Sequence, residues 1–193
     1  MAKNGSNTAK RSSGSGGFGK LFLGFLLGVV VVAAGLVLYL KFGPLPVAVA
    51  DQPFPFEKQV VKLPLGARID RETKTAPFGI SEDVFEVGAH IYRTQCADCH
   101  GIPGHDVPYA KYMYPAAPQL WKKHGKGNLV VGVSDDEAGE TYWKVANGIR
   151  LTGMPAFNHV LSDTQMWQVS LLLKNADKDL PNPVTQILDA PTP

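Results

Sequence analysis

Residues 96–100 read Cys96-Ala97-Asp98-Cys99-His100, and their two cysteines are the only ones in a chain of 193 residues. C-x-x-C-H is the attachment signature of a c-type haem. Each position has a physical task. Two thiols one helical turn apart can add to the two vinyl groups of the porphyrin and form thioethers. The imidazole that follows is then held beneath the iron as an axial ligand. Other uses of the spacing fit less well. A thioredoxin-like pair belongs in a βαβ context, and the flanking pattern is helical. A zinc site wants two further ligands at regular spacing, whereas His90, His105, His124 and His159 are scattered. A plain disulfide gives His100 no part. The expected cofactor is one haem c, bound covalently through Cys96 and Cys99 with His100 on the metal.

A second axial ligand is sought among the thioethers Met113, Met154 and Met166, since Met1 lies beyond the apolar segment described below. Met166 falls on the apolar face of a helix and reads as core. Met113 sits in Tyr112-Met113-Tyr114, where it could equally pack on a ring. Met154 lies in Thr152-Gly153-Met154-Pro155. Pro155 biases the residue before it to extended backbone, and Gly153 allows close approach to a ring. Met154 is the preferred metal ligand. Met113, a histidine or an open position remain alternatives.

Three helix signals surround the motif. Ser81 precedes Glu82 and Asp83, an N-cap followed by acids suited to the positive end of a helix dipole. Val84, Val87, Gly88 and Ile91 then repeat at helical spacing and predict one buried face. Ser134-Asp135-Asp136-Glu137 has capping-box spacing and predicts a second helix, closed near Asn147-Gly148. Ser162-Asp163-Thr164-Gln165 predicts a third, with Leu161 and Met166 placed as a hydrophobic staple. It continues through Trp167, Val169, Leu171, Leu172 and Leu173. No strand alternation of similar strength occurs, so the expected class is all-α, with long loops at 101–133 and 149–161.

Upstream, residues 21–40 contain no charge. At about 1.5 Å per residue such a helix spans roughly 30 Å, the hydrocarbon thickness of a bilayer. Lys20 and Lys41 flank it and can snorkel. Residues 1–20 carry Lys3, Lys10, Arg11 and Lys20 and no acid, so the N-terminus is expected to stay cytoplasmic. Ala48-Val49-Ala50 resembles a signal-cleavage site, but the apolar run exceeds the roughly 7 to 15 residues of a signal core. An uncleaved anchor is expected. Gly24 and Gly28 have helix-dimer spacing, although glycine is common in membrane helices. Residues 42–193 hold 14 bases against 17 acids, which argues against a nucleic-acid binder.

Residues 81–178 resemble a class I c-type cytochrome, and more closely the single-haem proteins similar to the c-type subunits of bacterial haem-copper oxidases. Gly88 and Tyr92 precede C-x-x-C-H in the family's order. Ala117-Pro118-Gln119-Leu120 resembles its Pro-x-Leu element, and Gly153-Met154-Pro155-Ala156-Phe157 its methionine loop. Trp167 matches an aromatic that packs on the first helix near a glycine. The resemblance implies that the Pro118 carbonyl accepts a hydrogen bond from His100 Nδ1, with Pro103 and Pro108 as alternatives in the long loop, and that Leu120 packs on the ring. Arg150 and Trp121 are candidates for the haem propionates, since arginine suits carboxylates; a solvated Arg150 is the plainer reading. Lys122, Lys123 and Lys126 could guide an acidic partner or simply be a solvated run.

The expected organisation is a cytoplasmic basic tail (1–20), a transmembrane helix (21–41), a Pro-rich extended arm (42–80), a cytochrome c domain (81–180) and an extended C-terminal tail (181–193). The expected function is a single-haem electron carrier anchored in a bacterial inner membrane. Its haem domain is periplasmic, and its partners are the bilayer and membrane redox complexes or soluble redox proteins. A permanent subunit of a larger oxidoreductase is the alternative, and a peroxidase or gas sensor with an open axial position the third.

Overall fold

The computed structural model describes residues 16–190, and the chain divides into two compact units, Met1–Val47 and Ala48–Pro193. The first unit contains helix α1, Gly16–Phe42. Its most apolar window has a mean hydropathy of 2.9, and none of it is buried. That exposure and length fit a transmembrane anchor rather than a core helix. The helix begins five residues before the uncharged run, despite the low helix propensity of Gly16, Gly17 and Gly19. The rest of the expected basic tail, residues 1–15, lies outside the described residues. Gly43 N–H closes the last turn on the Tyr39 carbonyl at 2.7 Å, and Pro44 cannot continue it.

The second unit is mostly helical, as the periodicity requires. Its helices are α2 (Glu57–Glu72), α3 (Glu82–Gln95), α4 (Ala97–His100), α5 (Ala138–Asn147), α6 (Asp163–Lys174) and α7 (Asn182–Asp189). A two-residue antiparallel ladder, β1 (Lys123–His124) on β2 (Val130–Val131), interrupts the long loop and sets Lys123 opposite Val131.

The core forms where α3 meets α6. A Cβ at Gly88 would lie 2.6 Å from the Gln168 carbonyl oxygen, so only glycine permits this crossing. The packed stripe of α3 is Phe85, Gly88, Ala89, Ile91 and Tyr92. Val87, expected on that face, is 38% exposed, because the stripe turns toward the larger Phe85 and Tyr92. Trp167 is buried, and its ring stacks on Tyr142 of α5 at 4.1 Å.

Both caps of the first and third predicted helices are present. Ser81 Oγ accepts from Val84 N–H, and Ser162 forms a full capping box with Gln165. Leu161 and Met166 lie on the same core cluster. The middle helix starts later than its spacing suggests. Ser134 is spent on the preceding turn, where its hydroxyl accepts from Val131 N–H at 3.1 Å. Helix α5 therefore begins at Ala138, after Glu137.

Two expectations of extended backbone are corrected. Residues 57–72 of the Pro-rich arm form α2, with Pro64 inside it. Pro64 and Val60 are both exposed, so the carbonyl that loses its partner can be hydrated instead. Docking offsets the rest. Ile69 is buried, Trp143 Nε1–H donates to Glu72 at 2.8 Å, and Arg68 lies over the Trp143 ring at 5.6 Å. The C-terminal segment likewise folds into α7. Pro183 falls in its first turn, where a missing N–H costs little, and Val184 and Leu188 are buried.

Candidate functional site

Helix α3 stops at Gln95, and Cys96 (φ −120°, ψ −36°) joins it to the single turn of α4. The turn is tied by His100 N–H to the Cys96 carbonyl at 3.0 Å and Cys99 N–H to the same oxygen at 3.2 Å. Cys96 and Cys99 are free thiols, each half-buried. Burial, with a smaller contribution from Cys99, pushes the Cys96 thiol up to about 12. It is neutral at physiological pH. Burial also lowers His100, and a hydrogen bond to Pro118 opposes that shift only in part. His100 Nδ1 lies 2.7 Å from the Pro118 carbonyl oxygen. A carbonyl can only accept, so Nδ1 carries the proton, and Nε2 of the neutral ring keeps its lone pair.

Side chains far apart in sequence hold that geometry. Leu120 N–H donates to the His100 carbonyl at 3.0 Å. Gln119 Nε2 donates to the Cys99 carbonyl at 3.1 Å, while its Oε1 accepts from Val107 N–H at 2.7 Å. Tyr92 O–H donates to the Gly101 carbonyl at 2.6 Å, and Tyr109 O–H to that of Asp98. Gly101 has φ +75°, and a Cβ there would meet Gln119 Oε1 at 2.7 Å. The turn after His100 therefore requires glycine.

Cys96, Cys99, His100, Pro118 and Leu120 form one wall of a cavity of about 230 Å³. Met154 and Met113 both line it. The Met154 loop is held by Ile149 N–H to the Met154 carbonyl at 3.3 Å and by Met154 N–H to Thr152 Oγ1 at 3.1 Å. Met113 lies over the same loop, since a Cβ at Gly153 would be 2.8 Å from the Met113 methyl.

Two thiols, a neutral imidazole oriented through Nδ1, and thioethers in the same cavity make a donor set for a thioether-linked haem. Residues 83–171 match the family model described as cytochrome c oxidase, cbb3-type, subunit III. Residues 83–171 form a class I c-type cytochrome domain. That family is one of haem c electron-transfer domains in oxidase-type complexes. No curated protein and no solved structure gave a significant match to the chain.

Within the cytochrome domain, Cys96, Cys99, His100, Pro118, Leu120 and Met154 are brought together on the cavity wall. Arg150 and Trp121 are not part of that wall. Arg150 is exposed, and Trp121 meets Tyr92 edge-on, at 5.6 Å between centroids, with its indole Nε1–H buried and without a hydrogen-bond partner. Pro118, rather than Pro103 or Pro108, supplies the carbonyl for His100. Three residues were not singled out by the sequence. Gln119 braces the motif, and Thr141 and Lys144 of α5 face the cavity. Nothing in the local pattern marks which polar residues of an amphipathic helix border a cavity.

Proposed function

We propose that the chain is a membrane-anchored carrier that passes one electron at a time between respiratory or photosynthetic complexes on the periplasmic side. The observation that supports this best is the meeting of C-x-x-C-H, the Pro118 carbonyl and Met154 around one apolar cavity. Cys96 and Cys99 would hold the haem c, with His100 and Met154 as the metal ligands. The haem, when bound, supplies a reversible one-electron couple. The chain's contribution would be to present the Met154 thioether and to hold the imidazole with its proton on Nδ1. The Pro118 hydrogen bond makes His100 the more basic ligand, and the thioether of Met154 raises the potential. The basic N-terminus stays cytoplasmic and α1 crosses the inner membrane, which sets the cytochrome domain in the periplasm.

The family match also favours a second reading, a fixed cytochrome subunit whose haem is an internal relay of a larger oxidoreductase. Isolation of the full chain in mild detergent distinguishes the two: a lone protein supports the carrier, and stoichiometric co-purification with oxidase subunits supports the relay. Both readings require haem that survives acid-acetone extraction and is lost from the Cys96→Ala, Cys99→Ala double variant. Covalent haem retained by that variant would refute the attachment residues. A reduced protein that binds CO readily would point instead to a sensor or peroxidase.

A further inference from the structure

Thr141 is 5% exposed and lines the cavity, yet its hydroxyl has no hydrogen-bond partner. A threonine inside a helix commonly bonds back to the preceding turn. Here the Glu137 carbonyl accepts from Glu140 N–H at 2.9 Å and Thr141 N–H at 3.3 Å, and the Thr141 hydroxyl makes no such bond. Leaving a buried hydroxyl unsatisfied costs about 1–3 kcal/mol. One turn later on the same face stands Lys144, also on the cavity wall. Its ammonium reaches Glu140 at 2.6 Å and Asp136 at 3.0 Å. Burial opposes its charge, but the hydrogen bonds to Glu140 and Asp136 outweigh that and raise its pKa. An ammonium has three donors, so one remains beyond those two carboxylates.

A buried donor and a fixed cation at one edge of an apolar cavity suit a carboxylate. We infer that Thr141 and Lys144 form the subsite that receives a propionate of the bound haem. Thr141 is the directional donor. Lys144 offers its remaining N–H, but Asp136 and Glu140 place two carboxylates on its one ammonium and more than offset the charge, so the hydroxyl contributes the larger share. This assignment rests on the haem reading above.

The test uses the full-length protein loaded with haem in detergent micelles, with Thr141→Val, Thr141→Ser and Lys144→Met beside the unaltered chain. Covalent haem is quantified first. Resonance Raman propionate-bending bands of the reduced protein are then compared. Thr141→Val should shift one of the two bands to lower frequency. Thr141→Ser should leave it in place, and Lys144→Met should move the same band by less. Both bands unmoved in a fully loaded Thr141→Val overturns the subsite but leaves the haem reading intact. An unaltered chain without covalent haem overturns both. Should Thr141→Val fail to load, the unaltered reduced protein decides by NMR. A through-space contact from a propionate methylene to the Thr141 methyl supports the subsite, and its absence overturns it.

Discussion

His100 and Pro118 lie 18 residues apart, yet the imidazole Nδ1 and the proline carbonyl oxygen meet at 2.7 Å. Gln119 makes that meeting possible, because its amide bridges the Cys99 carbonyl and the Val107 N–H. Gln119→Leu keeps the volume and strands both backbone groups. Unsatisfied groups of this kind cost about 1–3 kcal/mol each. The urea midpoint of the haem-loaded protein should fall accordingly, and the potential should rise as the His100 hydrogen bond loosens, because a less basic imidazole stabilises ferric iron less. A midpoint within error of the unaltered protein would remove Gln119 from this role.

Met154 and Met113 share the cavity, and substitution separates them. Met154→Ala should abolish the sulfur-to-iron charge-transfer band of the oxidised protein. It should also lower the potential by the order of 0.1 V, within the roughly 0.8 V that axial ligands command. The reduced variant should bind CO. Met113→Ala removes a side chain that covers Gly153, so it should keep the band and change the potential little. The reverse pattern would assign the thioether to Met113.

Gly88→Ala tests the helix crossing. Its new methyl would lie 2.6 Å from a backbone oxygen of α6, where nothing flexible can yield. Overpacking of this kind costs typically about 1–3 kcal/mol. Thermal unfolding of the haem-loaded variant should show a matching loss, whereas Gly66→Ala, with nothing within 4 Å, should be neutral or stabilising.

Glu72 reports on the docking of α2. Hydrogen bonds from Trp143, first, and Arg68 hold its carboxyl below its ordinary value. A lowered pKa in the folded state means that the folded state binds its proton less readily than the unfolded chain. The stabilisation is therefore present above the ordinary glutamate range and is lost as pH falls through the lowered value. The stability gap between the unaltered protein and Glu72→Gln should be constant near neutrality and close below the ordinary glutamate value. A gap that persists into that acid range would show that the charge is irrelevant to docking.

Some of this protein is written in short-range chemistry. C-x-x-C-H, the caps at Ser81 and Ser162 and the uncharged run of α1 are local features, governed by backbone stereochemistry, covalent reactivity and partition into lipid. They are legible without a fold, and they point to the all-α class, a membrane anchor and a haem c. The Pro118 contact was legible only through resemblance. What tertiary structure decided is where long-range packing outweighs local preference. Pro64 argues against a helix, but burial of Ile69 and the Trp143–Glu72 hydrogen bond favour it, and burial of Val184 and Leu188 holds α7 in a proline-rich segment. Val87 has the right spacing for the core and is left out, because Phe85 and Tyr92 bury more surface. Arg150 and Trp121 have suitable chemistry but do not line the cavity, while Thr141 has an ordinary sequence context and does. Which polar side chain borders a cavity depends on the rotation of α5 against α6, set by Tyr142 on Trp167 and by no residue's own propensity.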